Sequence, residues 1–378
     1  MLVAAALAAL ASMLFVPPDG EYLSYFDWQT IGCLFCVLAV ANAFRRIGMF
    51  DKIARSAIEH NHHVRTLSMM VMIVTAAFSM AFTNDVALII MLPLSATMLV
   101  KLGKANMVPI VFALQALAAN LCGMITPFGN PQNLFLYSHY HLSLGEFLNA
   151  MALPFALSVI GVLAVTWVAC REGREDRANK DLHANDQNAK TNIPIDSRRL
   201  RVYIVLFLIT ILAVFRVIPT IIAVMVILIV LAISDRKTLL EIDYALLGTF
   251  LCFFIFSGNV SRIPALGEML GSLMSQWGLL VSALTSQVIS NVPAAVILSH
   301  FTDAWQPLLI GVNIGGAGTF VGSLASLIAI RYFALSRRVF PAMRETSAPT
   351  MIRFLVMFGI LNMGFFIALL LICQLIYG

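Results

Sequence analysis

Charge is scarce in this chain. Asp, Glu, Lys and Arg together make up 11% of it and apolar residues 60%, more apolar surface than a soluble core of this length can bury. A soluble protein is thereby excluded, and an integral membrane protein is implied. Period-two alternation is also missing from the apolar stretches, which argues against a membrane β-barrel. The stretches are separate runs of about 15 to 26 residues with few charges inside, the lengths of helical spans and of shorter re-entrant pieces. The net charge of +5 falls in the loops between runs, where it carries topology information. No nucleic-acid partner is expected.

Several chemistries are absent as well. The six cysteines, at 33, 36, 122, 170, 252 and 373, lie in or at the ends of apolar runs, where small free thiols sit, so no disulfide framework is expected. Cys33-x-x-Cys36 has no second pair and is not read as a metal site. His60, His62 and His63 share a basic loop without acidic or thiol companions and are read as solvated. Gly315-Gly316-Ala317-Gly318 is glycine-rich like a phosphate loop, but no Gly-Lys-Ser/Thr follows and no βαβ context surrounds it. A catalytic set of nucleophile and base, or of His and carboxylate metal ligands, is missing at membrane depth, where only Asp85 qualifies. An enzyme and a cofactor are therefore not expected.

What the sequence does hold is a pair of polar, helix-breaking cassettes inside apolar runs. The first joins Ser79 and Thr83-Asn84-Asp85 to the run from Gly123 to Asn133, which contains Thr126, Pro127, Gly129 and Asn130. The second joins Ser286 and Ser290-Asn291-Val292 to the run from Gly315 to Ser323, which contains Thr319 and Gly322. Breaks at corresponding places in two apolar halves point to a transporter's binding site near the bilayer midplane.

A second correspondence spans the chain. Asp27-Trp28-Gln29-Thr30-Ile31-Gly32, with Cys36 and Arg46-Ile47 beyond it, aligns with Asp243-Tyr244-Ala245-Leu246-Leu247-Gly248, Cys252 and Arg262-Ile263 at a constant offset of 216. Residues 1–170 and 219–378 read as two copies of one unit, joined by a flexible polar linker and one connecting helix in 171–218. An odd number of spans between copies inverts the second. With a cytoplasmic N-terminus, spans are expected at 2–16, which starts like a clipped first helix, and at 27–44, 145–170, 202–216, 219–234, 243–259 and 351–376. Re-entrant hairpins are expected at 67–82 with 86–100 and at 278–289 with 293–301, and broken crossings at 105–125 with 134–140 and at 306–330. Only Arg216 and Arg262 of the 24 Lys and Arg residues then lie outside, as the positive-inside rule requires. Residues 48–58 carry Met49, Phe50, Ile53, Ala54, Ala57 and Ile58 on one face, the pattern of a helix on the membrane surface, matched in the second half by Leu266, Met269, Leu270 and Leu273.

The cassettes suggest their own chemistry. Ser79 and Thr83 share a helix face, as do Ser286 and Ser290, and each pair is followed by an asparagine. Hydroxyls, amide oxygens and free carbonyls at a half-helix end are hard ligands for a small cation, so Na⁺ is expected at Ser79, Thr83 and Asn84 and at Ser286, Ser290 and Asn291. Half-helices starting near Val86, Pro131 and Pro293 offer positive dipole ends to an anion. Asp85 is the one carboxylate deep in an apolar run; it can cap the helix behind it and can also carry the coupling ion or proton.

At these residues the sequence resembles the ion transporter superfamily. Thr83-Asn84-Asp85-Val86-Ala87, the run Thr126-Pro127-Phe128-Gly129-Asn130-Pro131-Gln132-Asn133, and Ser290-Asn291-Val292-Pro293-Ala294 are similar to motifs of its citrate-transporter-like bacterial anion permeases. The resemblance implies an all-α polytopic protein of two inverted repeats, a dimerising scaffold and elevator-type movement of the part that bears the hairpins. Dicarboxylate-carrying relatives have Ser-Asn-Thr at each hairpin tip; here the third positions are Asp85 and Val292. The Asn-Asp pair also resembles the arsenite-efflux branch, and the carboxylate the sodium/proton antiporters. The expectation is a secondary transporter in a bacterial inner membrane, moving a small anion with Na⁺ or H⁺, with arsenite efflux or Na⁺/H⁺ antiport as alternatives and a passive channel as a different class.

Overall fold

The breaks foreseen in the sequence set where the helices begin and end. A computed structural model describes residues 2–58, 63–171, 196–344 and 349–377. These form α1 (Leu2–Met13), α2 (Trp28–Arg46), α3 (Met49–Ile58), α4 (Val64–Ala81), α5 (Asn84–Lys101), α6 (Val108–Leu117), α7 (Pro131–His139), α8 (Leu144–Ala169), α9 (Ser197–Val214), α10 (Thr220–Ser234), α11 (Arg236–Leu240), α12 (Tyr244–Ser261), α13 (Pro264–Ile289), α14 (Asn291–Leu298), α15 (Trp305–Ile314), α16 (Leu324–Val339) and α17 (Met351–Tyr377). Among the described residues seven stretches are long and apolar enough to cross a membrane: α2, α4, α5, Ala105–Ile125, α8, α12 and α17. The protein is an all-α polytopic membrane protein.

Local chemistry explains the ends. Asp27 and Asp243 cap α2 and α12 by accepting from the N–H of Thr30 (2.9 Å) and Leu246 (3.1 Å), and Ser143 with Glu146 forms a capping box at α8. The α4–α5 boundary is the two-residue break Phe82-Thr83. The α13–α14 boundary is Ser290 alone, held at φ 76°, ψ 156°, a region that non-glycine residues occupy at a cost of about 1–3 kcal/mol.

The crossing from residue 105 leaves α-helical geometry at a π-helical turn, Ala118–Cys122, and a 3₁₀ turn, Gly123–Ile125, before α7 starts. Side chains along α6 and that π turn are almost wholly buried, so this strand of the fold is its centre. Aromatic rings brace the first break from outside. Phe82 lies 4.8 Å from Phe50, 5.6 Å from Phe44 and 5.1 Å from Phe207, centroid to centroid.

Two expectations need correction. The first helix stops at Met13 rather than 16, where the Ser12 hydroxyl turns back to the Ala9 carbonyl (2.7 Å) ahead of Pro17-Pro18. The expected face of α3 is divided: Phe50 and Ala54 are buried, the former in the aromatic cluster, while Ile53 is 45% exposed. The surface helix expected around Leu266 and the hairpin arm expected from residue 278 are two helical pieces of α13 that meet at a kink at Trp277 (φ −135°, ψ 34°). The polar linker falls almost entirely outside the described residues, as do His60 and His62.

Candidate functional site

Four helices begin around one point. The N-termini of α5, α7, α14 and α16 border a narrow cavity lined by Asn84, Asp85, Gln132, Asn291, Val292 and Ser323 among others. Its remaining wall is the face of α12 that carries Leu246, Thr249 and Phe253. The cavity encloses about 30 Å³, room for one or two waters and far below the roughly 300 Å³ of a typical organic-ligand pocket. Lys and Arg are absent from this lining. Positive potential comes instead from four helix dipoles, each worth about half a charge at its N-terminus.

The two tips are tied to the two breaks by the same bond. The Asn84 N–H donates to the Gly129 carbonyl and the Asn291 N–H to the Gly322 carbonyl, both at 3.0 Å. Each asparagine then accepts from the next backbone N–H, Asp85 and Val292, both at 2.9 Å. These contacts need close approach. A Cβ on Gly129 would lie 2.1 Å from the Gly123 carbonyl, and one on Gly322 2.8 Å from that of Gly315.

A buried amide network joins the halves. Asn120 Oδ1 accepts from Asn84 Nδ2 (2.9 Å) and from the Ser323 hydroxyl (2.8 Å), while its Nδ2 donates to the Gly316 carbonyl (3.1 Å). Asn313 stands as far before Gly322 as Asn120 before Gly129. Its Oδ1 accepts from Asn130 Nδ2 (3.3 Å) and Gln132 Nε2 (3.2 Å), and its Nδ2 donates to Asn133 Oδ1 (2.6 Å). Gln287 clamps the second break, donating to the Gly315 and Ala317 carbonyls (2.8 and 2.9 Å) and accepting from the Thr319 N–H (2.7 Å).

Of the residues singled out in the sequence, Asn84, Asp85, Ser290, Asn291, Val292 and Ser323 line the cavity. The others bind backbone nearby. Ser79 donates to the Ala119 carbonyl (2.5 Å), Thr126 to that of Met80 (2.7 Å), Asn133 to that of Met124 (3.0 Å) and Thr319 to that of Gln287 (2.8 Å). Thr83 caps α5 through the Val86 N–H (3.4 Å), and Pro127 forms part of the buried turn before Gly129. Ser286 donates within its own helix to Ser282 (2.9 Å), so its hydroxyl proton is not free for the site. Sequence reading missed Asn120, Asn313, Gln132, Gln287 and the α12 face. The matched spacing of Asn120 and Asn313 ahead of the two breaks is a signal that could have found the first two.

Buried oxygens without a partner point at cations or protons. Asp85 Oδ1, Asn130 Oδ1 and Gln132 Oε1 have no hydrogen bond, an expensive arrangement in a dry site unless a ligand supplies the missing contact. Dipole ends for negative charge thus sit beside lone pairs for positive charge.

A polytopic helical protein whose broken helices converge on such a cavity belongs among membrane transporters. The family model described as citrate transporter matches residues 1–310, and the chain belongs to that family. It is 30% identical over 316 residues to an uncharacterized transporter of Methanocaldococcus jannaschii, covering 82% of each chain. It is 29% identical over 352 residues to the inner membrane protein YbiR of Escherichia coli, covering 92% of this chain and 91% of that one. A more distant match, 28% identical over 186 residues, is the silicon efflux transporter LSI3 of Oryza sativa subsp. japonica, covering 47% of this chain and 37% of that one.

Proposed function

We propose that the protein is a secondary active transporter of a bacterial inner membrane that carries a small anion, a carboxylate or an inorganic oxyanion, together with Na⁺ or H⁺. One observation carries the reading: four helix N-termini, without a basic side chain, surround a cavity that also contains the Asp85 carboxylate. The dipole ends attract an anion, and the carboxylate repels it. Neutralising Asp85 with Na⁺ or a proton removes that repulsion, so anion and cation bind as a pair and neither moves productively alone.

The same geometry supports an elevator-type cycle. The α4–α5 and α13–α14 pairs are read as re-entrant hairpins of two inverted repeats, residues 1–170 and 219–378, with the N-terminus in the cytoplasm. Each tip meets the middle of a broken crossing, at Gly129 and at Gly322, and so stops near mid-depth. A scaffold that dimerises then leaves the hairpin-bearing body free to carry the cavity from face to face.

A second reading, efflux of a small hydroxylated species such as arsenite in exchange for protons, is favoured by Asp85 standing where dicarboxylate carriers have a hydroxyl and by the rice relative's name, a silicon efflux transporter. Uptake into proteoliposomes with imposed Na⁺ or pH gradients, screened over carboxylates, sulfate, phosphate and arsenite, tests both. Flux of one anion that follows one cation gradient is expected. Flux indifferent to both gradients would make the protein a passive channel.

A further inference from the structure

Among the side chains that line the cavity, Gln132 has an amide whose two ends meet different fates. Its Nε2 donates to Asn313 Oδ1 (3.2 Å), whereas its Oε1 has no partner among the described residues. The residue is 1% exposed, so bulk water does not reach that oxygen.

This amide cannot turn over. Asn133 Nδ2 donates to the Met124 carbonyl (3.0 Å), and a carbonyl can only accept, so Asn133 must show its Oδ1 to Asn313. Asn313 meets that oxygen with Nδ2 (2.6 Å) and spends the same nitrogen on the Leu309 carbonyl (2.8 Å). Its Oδ1 therefore faces Gln132, where only a donor fits. Flipping Gln132 would set oxygen against oxygen. Asn313 is no part of the cavity wall, so the acceptor end is what Gln132 offers to the cavity.

An acceptor suits few anions. A fully deprotonated oxyanion has only acceptors of its own and would leave Oε1 buried and unpaired. An anion that keeps one hydroxyl brings the missing donor. We propose that Gln132 selects for a hydroxyl-bearing anion, whose O–H donates to Oε1 while its unprotonated oxygens lie toward the dipole ends of α14 and α16; the proposal rests on the reading of this cavity as the anion site.

Holding Asn313 is the competing role, and the other repeat separates the two. The matching oxygen, Asn120 Oδ1, is held by Ser323 (2.8 Å), the counterpart of Asn130, and by Asn84 (2.9 Å). Ala325 stands at the counterpart of Gln132. Asn130 already donates to Asn313 Oδ1 (3.3 Å), and a hydroxyl would serve as its second donor. What the glutamine adds is an acceptor at the cavity.

Three pairs of anions test this, each matched in charge and nearly in size and differing by one hydroxyl: hydrogen phosphate against sulfate, hydrogencarbonate against nitrate, and lactate against propionate. Reconstituted full-length protein would be assayed for flux of each anion, and for competition between the members of a pair, under imposed Na⁺ or pH gradients. In at least one pair the half-saturating concentration should favour the hydroxyl-bearing member by roughly 10- to 100-fold, the effect of one buried acceptor left unpaired. Gln132→Met, which keeps the length of the side chain and removes the acceptor, should lose most of that preference. Asn313→Ala, which leaves Gln132 in place but frees its amide to turn Nε2 inward, should weaken the preference as well. A wild type that treats both members of every pair alike, or takes no hydroxyl-bearing member, overturns the inference. So does a Gln132→Met variant that keeps the preference and needs more cation, since Oε1 would then be a cation ligand. Flux that ignores both gradients while the preference holds would overturn the coupled reading and support this inference.

Discussion

Replacing Asn120 by alanine is the sharpest test of how the site is assembled. The substitution deletes three buried side-chain hydrogen bonds, from Asn84, from Ser323 and to the Gly316 carbonyl. At the membrane average of about 0.6 kcal/mol each they sum to about 2 kcal/mol. Ser323 can turn its hydroxyl elsewhere, but the Asn84 amide and the Gly316 carbonyl are left buried and unpaired, which costs about 1–3 kcal/mol each when no water replaces the partner. The expected loss is therefore about 2–5 kcal/mol.

Transport should fall further than stability does. Asn120 holds the first tip and the second break to the same atoms, so without it the α5 and α16 N-termini lose their common reference. Reversible unfolding in mixed detergent micelles gives the first quantity and anion flux in proteoliposomes the second. Asn120→Ser, which keeps one donor and one acceptor, serves as the milder variant. A double-mutant cycle with Asn84→Ala should show a coupling of about 0.5–2 kcal/mol. Stability within about 0.5 kcal/mol of wild type with unaltered flux would refute the idea that this network sets the geometry of the site.

Asp85→Asn should raise the cation requirement more than 10-fold or abolish cation dependence while Thr83 keeps the helix capped, and an unaltered gradient dependence would remove Asp85 from the coupling. Asn84→Ala and Asn291→Ala should each reduce flux at least 10-fold with the protein still folded by circular dichroism; normal flux in both would mean that the breaks serve packing only. Ser290→Gly should relieve the φ of 76° and stabilise the fold by about 0.5–2 kcal/mol while slowing transport. Lower stability in that variant would show that the Ser290 hydroxyl contributes more than its backbone costs.

Breaks were legible because they contradict their surroundings. Asn, Asp, Gly and Pro inside an apolar run disrupt a membrane helix in any fold, and α5, α7 and α14 begin where those residues stand. Partners were not legible in the same way. Asn120 sits in an unremarkable apolar stretch and gains its meaning from Asn84, Ser323 and Gly316, one 36 residues away and another 196. Leu246 and Phe253 look like lipid-facing residues until α12 is seen beside the tips. Ser286 returns its proton to the Ser282 carbonyl one turn back, as helical serines can, so that what it can offer a cation is the lone pair of its oxygen.

Similar backbone bonds at the two tips make the difference in their side chains decisive. Each begins with an asparagine that bonds a distant carbonyl at 3.0 Å and its own next N–H at 2.9 Å, so backbone geometry alone gives neither tip a preference for cation or anion. The unpartnered buried oxygens near the cavity are Asp85 Oδ1, Asn130 Oδ1, Gln132 Oε1 and Ser326 Oγ. Three of the four belong to the first cassette, and so does the only carboxylate. At the corresponding positions the second cassette has Val292, Ser323 and Ala325 around its own dipole ends. Positive charge is therefore better held beside α5 and α7, and negative charge beside α14 and α16. A site polarised in this way orders an anion and a cation side by side, and swapping Asp85 with Val292 should reverse that order rather than simply weaken binding.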